Sequence, residues 1–175
     1  MTDRFAHHVR LDQIRDGERF DLVADETERR AIGDRLGLDA LDRLEAHVTL
    51  SPTGALVRAE GRIAATLEQS CVVTSEPVAA HVDEPFALLF MPEPKGSGHD
   101  EEIELATGDC DVVFYDGGTI DLGSAIADTL ALSLDPYPRS AEADAALRKA
   151  GVLTEEQAGP FAALAQLKRD NGEKA

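Results

Sequence analysis

The chain has no tryptophan, only two cysteines and, between Gly96 and Pro138, neither lysine nor arginine. Each shortage excludes something. Cys71 and Cys110 are too few for a disulfide framework and are expected as reduced thiols of a cytoplasm. The longest unbroken apolar run, Phe86 to Met91, is six residues, where a spanning helix needs about 20. The opening MTDRFAHHVR lacks the apolar stretch of a secretory signal. No glycine-rich phosphate-binding pattern occurs, and Gly117-Gly118 stands alone. A cytoplasmic protein without membrane spans is expected.

What the chain does have is acid. Its 34 carboxylates against 17 Lys and Arg give a net charge of −17 over 175 residues. A pI near 4.5 argues against a sequence-independent grip on nucleic acid, which depends on neutralising phosphates. The 43% of hydrophobic residues is enough for a core. The charge is uneven: net −7 over 1–95, −10 over 96–138 and zero over 139–175. More than half of it therefore sits in a quarter of the chain.

Periodicity supplies the architecture. A strand is expected at Phe5–Val9. A helix is expected over 25–36, capped by Asp25 or Thr27 and stopped by Gly37. From Arg43 the period becomes two: Leu44, Ala46, Val48 and Leu50 alternate with polar residues. A turn at Ser51–Gly54 leads to a second strand, with Val57, Ala59, Gly61, Ile63, Ala65 and Leu67 on one face and Arg58, Glu60 and Arg62 on the other. This hairpin with one solvated face requires antiparallel pairing. The alternation continues through Val78–Val82 and Phe86–Phe90, past a kink expected at Glu84-Pro85. Residues 91–102 read as a loop and Asp111–Tyr115 as a short strand. Asp121 caps a helix whose apolar stripe is Leu122, Ile126, Leu130 and Leu134. Helices are also expected at 141–150 and 161–169. The fold class is α+β: a twisted antiparallel sheet curled toward a barrel, with flanking helices and a helical C-terminal tail. The expected division is one domain over 1–138 and a helical extension over 139–175.

Candidate chemistry is sparse. Cys71-Val72-Val73-Thr74 is half of a metal knuckle, but zinc takes about four ligands. Neither Cys110 nor the histidines His7, His8, His47, His81 and His99 supply a paired spacing. By parity Cys71 continues an apolar strand face, which predicts a buried, inert thiol. Asp109, Asp111 and Asp116 lack the third acid, the glycine and the closing glutamate of a calcium loop. A cysteine nucleophile needs a base, and nothing ties a histidine to either cysteine. No enzyme, metal or cofactor is expected; a metal- or thiol-dependent protein or enzyme using Cys71 is the alternative. The acid run reads either as a solvated, self-repelling surface or as a docking face for a basic partner. The stripe Phe161, Leu164 and Leu167, ended by Lys168-Arg169, reads either as a helix packed on its own core or as one offered to a partner groove.

Three stretches, GRIAATLEQSCVVTSEPV at 61–78, IDLGSAIADTLALSLDPYP at 120–138 and GPFAALAQLK at 159–168, resemble in order and spacing the YceD-like family of large ribosomal RNA subunit accumulation proteins. The resemblance covers roughly residues 43–168. It implies a bacterial cytoplasmic protein needed for normal accumulation of large-subunit ribosomal RNA, without a known catalytic activity. Many members carry Cys-x-x-Cys where this chain has Cys71 and Thr74; if those cysteines bind zinc, this chain has lost the site. The expected function is thus non-catalytic assistance to large-subunit biogenesis. The charge favours binding a basic ribosomal protein through Asp100, Glu101, Glu102, Glu104, Asp109, Asp111 and Asp116, with Phe161, Leu164, Leu167 and Lys168 as further contacts. Ribosomal RNA contact through Arg58, Arg62, Lys168 and Arg169 is the alternative within this class.

Overall fold

A computed structural model describes residues 7–94 and 111–152. They fall into two compact units, one formed by Met1–Gln69 and Ala79–Pro136, the other by Ser70–Val78 and Tyr137–Ala175.

In the first unit, β1 (His8–Arg10) precedes a single 3-10 turn and β2 (Glu18–Val23). The α1 helix (Glu26–Leu36) begins at a complete capping box. Asp25 Oδ1 accepts from the Glu28 amide at 2.8 Å, and Glu28 Oε2 accepts from the Asp25 amide at 3.0 Å. The reciprocal pair satisfies two of the four amides that a helix start leaves without partners. Gly37 closes the helix in the left-handed region, at φ 67°. Asp25→Ala is expected to cost about 1 kcal/mol, read as a lowered urea midpoint at unchanged slope.

Strands β3 (Ala40–Thr53) and β4 (Leu56–Ser70) form the long hairpin that the alternation predicts. Leu44, Ala46, Val48 and Leu50 are buried opposite Val57, Ala59, Ile63, Ala65 and Leu67. A register shift between Leu41 and Arg43 moves burial from odd to even positions, so Leu41 and Leu44 both face inward. The following strands are β5 (Pro77–Pro92), β6 (Asp111–Tyr115) and the short β7 (Thr119–Asp121), which leads into α2 (Leu122–Ser133). Strand β5 runs through Pro85 without ending there, and Pro85 is exposed. Asp121 caps α2 by accepting from the Ser124 amide at 3.0 Å. Leu122, Ile126 and Leu130 are fully buried in one cluster with Phe90, Ile63 and Leu50.

Three expectations are corrected. The sheet order is β2-β3-β4-β5-β6 with β2 and β6 as edges, so the sheet is open and not curled into a barrel. Its last pair, β5 with β6, is parallel, Leu88 lying opposite Asp111 and Pro92 opposite Tyr115. Parallel neighbours need a crossover connection, where a hairpin turn would have made them antiparallel. Residues 18–23, unassigned by periodicity, form edge strand β2, with Leu22 buried and Phe20 half-buried. A separate two-stranded sheet pairs β1 with β7.

In the second unit, α3 (Ala143–Lys149) ends before Gly151, which takes φ 78°. The residues assigned to a last helix, 161–169, lie outside the described part, as do Phe5 and most of the 91–102 loop.

Candidate docking face

Strand β6 ends the sheet. Tyr115 is buried, and its hydroxyl donates to the Ala55 carbonyl at 2.5 Å, which anchors the end of the strand. Phe114, of the opposite parity, is 55% exposed. The chain then turns at Asp116-Gly117-Gly118, with Gly117 at φ 74°. It returns through β7 to the start of α2. Between β6 and the first two turns of α2 lies a groove of about 430 Å³. Phe114, Asp116, Asp121 and Asp128 line it, together with His8 of β1. Asp121 is engaged as the helix cap, and Asp128 pairs with Arg35 at 3.1 Å on the exposed surface. Asp116 is exposed and has no ion pair among the described residues. From Asp111 to Pro138 the chain holds five carboxylates and no Lys or Arg.

Of the residues expected to bind a partner, Asp111 and Asp116 flank β6 and are exposed. Asp100, Glu101, Glu102, Glu104, Asp109, Phe161, Leu164, Leu167, Lys168 and Arg169 lie outside the described residues. Arg58 and Arg62 do share the solvated face of β4. Their guanidinium groups are occupied: Arg58 meets Glu60 at 2.7 Å and Arg62 meets Asp83. Arg43 with Glu45, and His47 with Asp21, extend the same pattern of exposed pairs across neighbouring strands. The hydrogen bond from Arg62 holds the Asp83 carboxyl below its ordinary range. This face is therefore largely self-neutralised. Such exposed pairs contribute little to stability, about 0–1 kcal/mol each.

In the second unit, the turn 71–76 gathers polar groups around Cys71, which is 2% exposed. The Cys71 amide donates to the Glu76 carbonyl at 2.8 Å, and the Ser75 amide to the Cys71 carbonyl at 2.9 Å. Cys71 Sγ accepts from the Thr74 amide at 3.4 Å and the Ser140 amide at 3.2 Å. Glu76 Oε2 accepts from the hydroxyls of Thr74 (3.0 Å) and Ser140 (2.9 Å). Burial pushes the thiol up, but the Thr74 side chain and the amides of Ser140, Thr74 and Val73 outweigh it. The net effect lowers the thiol from 9.0 to about 6. The thiol is buried as expected; the donors around it favour its ionised form, which parity could not reveal. Among the described residues no group of three or more His, Cys, Asp or Glu could hold a metal ion. Nor is any helix among them long and apolar enough to cross a membrane.

Two features of these sites have little signal in the sequence. Phe114 reads in sequence only as part of a short strand; the one signal was an uncharged middle between two acids. Thr74, Glu76 and Ser140 are ordinary polar residues until the fold brings Ser140 across 66 positions to Thr74.

No curated protein and no solved structure gives a significant match to the chain. A family model does match, over residues 59–168, from inside β4 through α2 and α3. Its description is large ribosomal RNA subunit accumulation protein YceD. The matched stretch covers well over half of the chain, and the chain belongs to the YceD family.

Proposed function

We propose that this protein supports accumulation of large-subunit ribosomal RNA without catalysing a reaction, by binding a basic ribosomal protein through its acidic segment 100–121. The family supplies the ribosomal role. The partner is argued from one observation: ten carboxylates and no Lys or Arg between residues 96 and 138. A face of one sign draws in the opposite charge and raises encounter rates. Nucleic acid carries the same sign as this face. Of the residues named for the RNA alternative, Arg58 and Arg62 are paired with the chain's own carboxylates, while Lys168 and Arg169 lie outside the described residues. A role for Cys71 as a nucleophile has less support, because its burial shuts substrates out.

Affinity capture from lysate with and without nuclease tests this reading. A basic ribosomal protein retained after nuclease supports it; loss of every ribosomal component on nuclease treatment overturns it in favour of RNA. Converting Asp100, Glu101, Glu102 and Glu104 to Asn and Gln is expected to slow association about tenfold at low salt and to flatten its salt dependence. Thermal stability is expected to change little, because the variant removes like-charge repulsion.

A further inference from the structure

The two edges of the sheet are built differently. Strand β2 carries Glu18, Arg19 and Asp21, charges of both signs spread along it. Interspersed charge is a common way of blocking strand addition at an edge. Strand β6 has no such protection: Val112, Val113, Phe114 and Tyr115 are consecutive and uncharged. Among the described residues no strand pairs with its outer side. Its only charges, Asp111 and the adjoining Asp116, are both negative and sit at its ends. The groove beside it offers an exposed aromatic ring and carboxylates.

We propose that the outer edge of β6 and its groove take up an extended, Lys/Arg-bearing segment of the partner as an added strand. Main-chain hydrogen bonds to β6 would supply register. An apolar side chain of the segment would cover Phe114, and its basic side chains would reach Asp111 and Asp116. Charge complementarity chooses this occupant over a second copy. Two β6 edges brought together would oppose acid to acid on chains of net charge −17, whereas a basic segment meets the opposite sign throughout. The inference rests on the proposed basic partner and adds the mode of binding.

The probe is a nine-residue peptide alternating Lys and Val, compared with one of equal length and charge whose valines are replaced by proline. Proline cannot donate to a ladder, so the second peptide keeps the electrostatics and loses strand addition. The full-length protein is expected to bind the first peptide at least about tenfold more tightly, with slowed amide exchange at Val112–Tyr115. Phe114→Lys places a like charge against the peptide on an already exposed position. It is expected to weaken binding about tenfold while leaving the circular dichroism and melting temperature unchanged. Equal affinity for the two peptides, or unchanged affinity in Phe114→Lys, overturns the proposal. So does a wild-type dimer that Phe114→Lys dissociates, since the edge would then be taken by a second copy. Capture from lysate separates this from the broader reading. If Phe114→Lys still captures the basic ribosomal protein, strand addition at β6 fails and the functional reading stands; if wild type captures none, the functional reading fails, while the peptide comparison still decides the edge.

Discussion

Gly61→Ala is expected to be the most damaging single-methyl change in the sheet. A Cβ built on Gly61 falls on the backbone carbonyl oxygen of His47, far inside contact distance. It would also lie 3.0 Å from the carbonyl carbon of His47 and 3.1 Å from Phe86 Cζ. Gly61 is opposite Val48 in the β3–β4 ladder, so the obstacle is the main chain of the central hairpin, which no rotamer change can move. Relief requires β3 and β4 to separate locally, loosening hydrogen bonds on both sides and the packing of Val48 and Ile63 beneath. Overpacking a core costs about 1–3 kcal/mol, and a clash with backbone belongs at or above the top of that range. A fall in the urea midpoint of a molar or more checks it, at a slope of roughly 1–3 kcal/mol/M. Gly54→Ala is the contrast. Nothing lies within 4 Å of its Cβ, but φ is +61°, so only backbone strain is paid, about 1 kcal/mol. If the two variants lose equal stability, the close approach at Gly61 is wrong.

The second large effect belongs to Cys71. Its depression from 9.0 to about 6 is roughly a thousandfold change in the ionisation equilibrium. In a Cys110→Ser background, thiolate absorbance is expected to titrate with a midpoint near pH 6 in the folded protein and near 9 in urea. The linkage has a definite sign. A folded value below the unfolded one means the unfolded chain binds the proton more tightly. The thiolate's contribution to stability is therefore complete above pH 9 and declines as pH falls toward about 6, below which it is gone. The gap in urea midpoint between the Cys110→Ser protein and the Cys71→Ala, Cys110→Ser double variant is expected to widen from pH 6 to pH 9. A gap that stays constant across this range would mean the thiol is protonated and contributes by packing alone.

The elements most readable in sequence are those whose signals are local. The capping box of α1 lies within four residues, and Gly37 marks its end. The β3–β4 hairpin declares itself by alternation over more than twenty residues, and α2 by Asp121 and an i, i+4 stripe. Strand β2 was harder: its six residues carry three charges, and only Phe20 and Leu22 turn inward. The parallel placement of β6 has no local signature, because DVVFY would read the same beside either neighbour. The donors around Cys71 come from positions three and 69 residues away, and only the turn at 71–76 and the 137–140 segment bring them to the sulfur. Residue type exposed the acidity of residues 96–138, but only the strand order showed that β6, among the described residues, is an edge of the sheet.

The family match does not reach the whole sheet. The match starts at residue 59, three residues into β4. Thirteen positions of β3 pair with β4, and β2 in turn pairs with β3. Two of the five strands of this sheet, β2 and β3, are thus contributed by residues outside the matched stretch. The match and the sheet therefore have different boundaries in this chain. A piece cut at the start of the match would lack β2 and β3 and would leave β4, with Ile63, Ala65 and Leu67, as a new edge of the sheet.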